Sequence, residues 1–192
     1  MAPSRGRRVR REGQIFERAT GFVELCEAAR RAAKGTRSEQ ARRFLFDLEP
    51  EVLRVQRELW GGTYRPGEYR VFHVRDPKPR QICAAPFRDR VVHHALCASL
   101  EPVFERYAID DSYACRKGKG AMAAVQRAQV LGRRQPWFVK LDVLRYFESA
   151  SHSVLVEALA RQVKDRRVLD LIEVFVRAGA PGSPPARDFS RR

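Results

Sequence analysis

The fold that the sequence predicts is α+β and rich in helix. Three observations carry that expectation. Apolar residues recur every three or four positions through most of residues 20–60 and again from 152 to 178, the period of an amphipathic helix. Two short alternating runs flank Asp76-Pro77-Lys78-Pro79 and read as one antiparallel hairpin. A further apolar run, Trp137 to Leu141, partly alternates with polar residues and reads as a strand that carries Asp142 at its end.

Taken in order, residues 1–15 open the chain as a basic arm. Arg5, Arg7, Arg8, Arg10 and Arg11 stand there with almost nothing apolar between them, a composition expected to stay disordered and either grip RNA or DNA or remain a solvated tail. Residues 20–33 read as a helix with Phe22, Leu25, Cys26 and Ala29 on one face, stopped by Gly35. Ser38 is placed to cap a second helix that buries Phe44, Leu45 and Leu48. Pro50 suits the first turn of a third, where Val52, Leu53, Gln56 and Leu59 recur before Gly61-Gly62.

Residues 69–75 then alternate as a strand, with Tyr69, Val71 and His73 on one face and Phe72 and Val74 on the other. Arg80 to Ala84 runs back as its partner. Lys78 and Arg80 at the tip could fold over a triphosphate, the Lys as a point charge and the Arg as a bidentate fork; an ordinary basic hairpin tip has the same residues. Residues 121–130 read as a helix, as do those following Ser149-Ala150-Ser151-His152 through Leu155 and Leu159. Asp165 is expected to cap a last helix with Val168, Leu169, Ile172, Phe175 and Val176 at core spacing, ended by Gly179.

Charge narrows the function. Against 23 Asp+Glu the chain sets 38 Lys+Arg, a net charge of +15, and the pI is near 10.6. Such a field favours polyanions, nucleic acid first, although a ribosomal-type protein or a membrane-surface binder would have similar totals. No run approaches the length of a membrane span, and the N-terminus has no apolar signal region, so a cytoplasmic protein is expected. Cys26, Cys83, Cys97 and Cys115 are widely spaced without a C-x-x-C pair, which suits reduced, mostly buried thiols better than a zinc site or a disulfide frame.

The motifs that carry chemistry lie between residues 80 and 152. An Arg80-Gln81-Ile82 strand leads to Pro86, then to a helix opening Asp89-Arg90-Val91-Val92. Leu100-Glu101-Pro102-Val103-Phe104-Glu105 closes that helix, and Ser112-Tyr113-Ala114-Cys115-Arg116-Lys117-Gly118-Lys119-Gly120 forms a loop. Lys140-Leu141-Asp142-Val143-Leu144-Arg145-Tyr146-Phe147 and His152 follow. In order and spacing this series resembles the fingers and the first catalytic motif of reverse transcriptases, those of group II introns, retrons and diversity-generating retroelements above all. Linked motifs over so long a stretch are far more specific than any one of them.

What the resemblance implies follows residue by residue. Lys78 and Arg80 would meet the phosphates of the incoming deoxynucleotide. Arg116, Lys117 and Lys119 would lie near the RNA template or DNA primer backbone. Asp142, with Val143, would bind the catalytic magnesium ions, and Phe147 would sit beneath the sugar to exclude a 2′-hydroxyl, with Tyr146 packed in the core. On this basis residues 16–66 are N-terminal helices, 67–135 the fingers, 136–182 a partial palm, and 183–192 a disordered tail. Three decoys are set aside. His93 and His94 are adjacent on a helix and diverge by about 100°, a poor metal pair. Asp110-Asp111 precedes the Asp142 strand and so is not the second catalytic motif. Gly118-Lys119-Gly120 lacks the Gly-Lys-Ser/Thr of a phosphate loop.

The family continues with a Gly-rich loop, a Ser-Gln helix and Tyr-x-Asp-Asp on a hairpin. Here Pro181-Gly182 is followed by Ser-Pro-Pro-Ala-Arg-Asp-Phe-Ser-Arg-Arg. The expectation is therefore an N-terminal fragment of an RNA-directed DNA polymerase, truncated before the catalytic hairpin and inactive alone, with its two-ion magnesium site incomplete and its missing palm and thumb left to a partner. A non-catalytic, maturase-like RNA-binding module or a pseudogene product are the alternatives. An unpaired Asp142 strand would leave an exposed edge and bare apolar surface.

Overall fold

Helices account for nearly all the regular structure. Residues 12–75, 77, 79–143 and 151–179 are described by a computed structural model, the side chain of Arg80 excepted. The order is α1 (Ile15–Ala19), α2 (Phe22–Ala33), α3 (Glu39–Phe46), α4 (Leu48–Trp60), β1 (Arg70–Arg75), β2 (Pro79–Ala84), α5 (Phe87–Glu105), α6 (Ala121–Gly132), α7 (His152–Gln162) and α8 (Arg166–Ala178). The architecture is thus α+β with a two-stranded sheet.

The core forms around α5. Helix α2 lies along it, and α1 and α3 pack on it from the sides. Ala28, Ala29 and Ala32 of α2 are fully buried, and such small side chains let helix axes approach closely while Leu25 fills the remaining gap. From α5 the buried face comprises Val91, Val92, Ala95 and Val103. Pro102 does not end α5, which runs on to Glu105. A proline so near a C-terminus forfeits one helical hydrogen bond close to where such bonds run out anyway. The Arg18 guanidinium donates to the neighbouring Ser99 carbonyl at 2.5 Å.

The expected helices at 20–33, 38–48 and 50–59 are all present. In the third, Leu53 turns out to be exposed and Val55 buried, while Gln56 donates to the Thr20 carbonyl at 2.7 Å. The strands pair antiparallel from Arg70↔Ala84 to Arg75↔Pro79, as the alternation predicts. Along β1 only Phe72 is even half-buried, so the hairpin projects from the helical body.

The start of the described chain is sewn to the connection between α7 and α8. Glu12 makes a parallel bridge to Val163: its amide donates to the Gln162 carbonyl at 3.0 Å, and the Lys164 amide donates back to it at 2.7 Å. Asp165 stands at the N-cap of α8, where its side chain makes no bond to the helix. Instead its Oδ2 accepts the Phe16 amide of α1 at 2.8 Å. The capping carboxylate serves a helix far away in sequence rather than its own.

Two expectations need correction. Residues 137–141 are not a strand. Trp137 is 87%, Phe138 91%, Val139 81% and Leu141 88% exposed. A strand exists through its ladder, and no described segment pairs with this one. The bare apolar surface expected of an unpaired strand is there. The thiols, secondly, are not mostly buried: Cys26 is, whereas Cys97 and Cys115 are exposed. All of those described are free thiols. The expected basic arm, the tail from residue 183 and the Tyr146-Phe147 pair lie outside the described residues. No described helix is long and apolar enough to cross a membrane.

Candidate nucleic-acid interface

The hairpin is positioned by one buried carboxyl. Asp89, in the first turn of α5, is 2% exposed. Its Oδ1 accepts the Tyr64 hydroxyl at 2.5 Å, and its Oδ2 accepts the Gly67 amide at 2.8 Å. The loop between α4 and β1 is thereby tied to α5 at both ends of a four-residue span. Gly67 passes so close that a Cβ there would lie 2.9 Å from Pro86 Cγ. Burial first, and the bond to Asp89 second, push the Tyr64 phenol above its ordinary pKa. Arg88 stacks over the Tyr64 ring at 4.6 Å and pairs with Glu58.

The Asp89-Arg90-Val91-Val92 motif can now be read physically. Asp89 holds the loop that leads into the hairpin, Arg90 donates to the Ala32 carbonyl at the end of α2 at 2.7 Å, and the valines fill the core. These residues fix the scaffold. Sequence reasoning missed Tyr64, Gly67 and Gln40, whose Oε1 accepts the Phe87 amide at 3.3 Å. The Gly67 signal was legible in principle, as a lone glycine between Pro66 and a strand.

At the hairpin tip Arg80 pairs through its backbone with Val74, and Lys78 lies outside the described residues. The 106–120 loop treats its three cations differently. Arg116 turns inward: Nε and Nη2 bond Glu105 at 2.9 and 2.8 Å, and Nη1 donates to the carbonyls of Ile109 and Ser112 at 2.7 and 3.0 Å. Hydrogen bonding from Arg116 holds the Glu105 carboxyl below the usual carboxylate range. Lys119 donates to the Asp110 carbonyl and lies over the Tyr113 ring at 5.2 Å. Lys117 alone of the three is exposed and unpartnered among the described residues.

The decoys resolve as scaffold. Asp111 forms a bidentate pair with Arg127 of α6 at 2.9 and 3.2 Å and accepts the Tyr113 hydroxyl at 3.0 Å; these bonds, Arg127's first, lower its pKa. His93 packs edge-on to Phe175 of α8 at 4.4 Å, and burial lowers its pKa. Asp142 and Val143 lie exposed past the end of the apolar 137–141 run, and Phe147 lies outside the described residues. Among the described residues no three His, Cys, Asp or Glu side chains cluster as a metal site.

Charge on the surface is only partly paired. Helical arginines find carboxylates one turn away, as in Arg31–Glu27, Arg161–Glu157 and Arg177–Glu173, pairs worth little in energy but enough to cancel local field. Arg75 before the hairpin tip, Lys117, and Arg133, Arg134 and Lys140 between α6 and Asp142 are exposed and meet no carboxylate among the described residues. Lys117, Arg133, Arg134 and Lys140 stand in the segment that the motif series occupies, while Arg30, Lys34, Arg37 and Lys164, elsewhere on the surface, are likewise exposed and meet no carboxylate among the described residues.

No protein-family model matches the chain. It is similar to Nuclear intron maturase 1, mitochondrial, of Arabidopsis thaliana, with 36% identity over 151 residues, 69% of this chain and 20% of that protein. It is likewise similar to Group II intron-encoded protein LtrA of Lactococcus lactis subsp. cremoris, 25% over 134 residues, 68% of this chain and 22% of that one. Protein YkfC of Escherichia coli (strain K12) is 27% identical over 139 residues, 69% of this chain and 36% of that protein. The chain spans well under half the length of these relatives.

Proposed function

On the footing that this chain is a homologue of group II intron-encoded proteins and intron maturases, we propose that it is the nucleic-acid-gripping portion of a reverse transcriptase of that kind. It binds RNA or an RNA–DNA hybrid by its phosphates, with little sequence preference, and has no polymerase activity alone. The observation that carries this reading is the surplus of positive charge, +15 over the chain, with Lys117, Arg133, Arg134 and Lys140 of the motif series among the exposed cations that meet no carboxylate among the described residues. In the intact enzyme Lys78 and Arg80 would face a deoxynucleotide's phosphates, and Phe147 its sugar.

Magnesium would fall to Asp142 and Val143. The described residues offer one exposed carboxylate and one carbonyl there, short of the donor set that a two-ion centre needs. No step of nucleotidyl transfer is therefore assigned to this chain. Its work is to grip and orient, which suits a maturase-like role as well as a polymerase's.

Titration of a labelled hybrid duplex at several salt concentrations tests the grip. If about five of the unpaired cations each neutralise one phosphate, log K should fall with log salt at a slope near −4.5, or about 500-fold between roughly 50 and 200 mM. A flat response would overturn the reading. Primer extension by the 192-residue polypeptide, with magnesium or manganese, should stay at background. Template-dependent extension lost in Asp142→Asn would show that the chain is catalytic after all.

A further inference from the structure

Resting on the polyanion reading above, we propose that the Glu105–Arg116 pair is an internal strut of the 106–120 loop, and that its task is to hold Lys117 outward as the loop's phosphate contact. Arg116 is thus a positioning residue, not itself a contact.

Four of the five donors of Arg116 are already engaged. A guanidinium has five N–H groups. Here Nε and one proton of Nη2 are taken by Glu105 and both protons of Nη1 by the Ile109 and Ser112 carbonyls. The side chain is only 13% exposed. A phosphate could take a bidentate grip on it only by displacing a carboxylate held bidentately, the strong geometry for this pair. Spanning from the last residue of α5 to two carbonyls inside the loop, the guanidinium closes a ring that the backbone alone would not hold.

The loop needs such a strut. Three of its residues adopt the left-handed region: Cys115 at φ 56, Gly118 at φ 73 and Gly120 at φ 104. Glycine does so freely, whereas Cys115 is a strained exception that persists only where its surroundings fix it. Three backbone bonds join residues within the loop, Ser112 N–H to Ile109 O at 3.1 Å, and Lys119 N–H to Arg116 O and Gly120 N–H to Tyr113 O, both at 3.2 Å. On the far side Arg127 clamps Asp111. Between the two clamps Lys117 is the one loop cation with neither a carboxylate nor a carbonyl partner among the described residues.

The test compares Glu105→Gln, Arg116→Gln, their double variant and Lys117→Gln in the full chain. Two readouts are used: hybrid-duplex affinity as a function of salt, and hydrogen exchange of the Ser112 and Gly120 amides. Lys117→Gln should weaken binding about three- to tenfold and lower the salt slope by about 1, with exchange unchanged. Glu105→Gln and Arg116→Gln should each speed exchange at least about tenfold and weaken binding, and the double variant should be no worse than the worse single one, as for groups acting as a unit. If Glu105→Gln instead tightens binding while exchange stays slow, Arg116 is itself the phosphate contact and the proposal is overturned. Unchanged exchange in Arg116→Gln overturns the strut alone. A wild-type chain that binds no duplex overturns the polyanion reading, and Lys117's role with it.

Discussion

Replacement of Asp89 by Ala is expected to lower the free energy of unfolding by about 3 kcal/mol and to release the β1–β2 hairpin from the helical body. Two donors depend on this carboxyl, the Tyr64 hydroxyl and the Gly67 amide. Water cannot replace it readily, because both Asp89 and Tyr64 are buried. Each donor left unmet costs about 1–3 kcal/mol, more than the net worth of an exposed bond. Asp89→Asn keeps one acceptor and should cost about half as much. Urea unfolding measures both, and exchange at the Gly67 amide reports whether the loop has come free. A loss below about 1 kcal/mol for the alanine variant would mean that the loop is held by packing, with the carboxyl incidental.

The second large effect is expected at Phe16. This ring is 3% exposed, meets Trp60 edge-on at 6.0 Å and carries the Arg167 guanidinium at 3.7 Å from its centroid. It therefore joins α1, α4 and α8 at one point. Phe16→Ala should destabilise by about 3–5 kcal/mol, the range for emptying a buried aromatic site. Arg167→Ala removes only the stacked cation from a partly exposed setting and should cost about 1 kcal/mol. Comparable losses in the two variants would place the energy in the cation–π contact and not in the core.

Much of this fold is legible in the sequence because its signals are local. Gly35, Gly61 and Gly62 follow helices that end where a glycine ends them, and the two alternating runs that flank residues 76–78 pair antiparallel. Local signals fail where the cause is distant. Helix α1 has only five residues and follows Gln14 in a left-handed conformation at φ 59; its cap comes from Asp165, which no window around residue 15 contains. The 137–141 run has a strand's composition, but composition cannot supply the neighbour that makes a strand. In the site the residue types are readable and their directions are not. Arg116 and Lys117 are adjacent, yet one is held inward by a carboxylate eleven positions earlier and the other is left to solvent.

The bond from the Phe16 amide to Asp165 has a consequence for biosynthesis. Its partners are 149 residues apart, so at about 5–20 residues per second the ribosome makes the acceptor roughly 7–30 s after the donor. Throughout that interval α1 exists without its cap, and a five-residue helix does not hold by itself. The first segment of the chain must therefore wait, with Ile15 and Phe16 uncovered, while α2 and α5 assemble behind it. Its docking is expected to be the closing event of folding, and the step most open to capture by a chaperone.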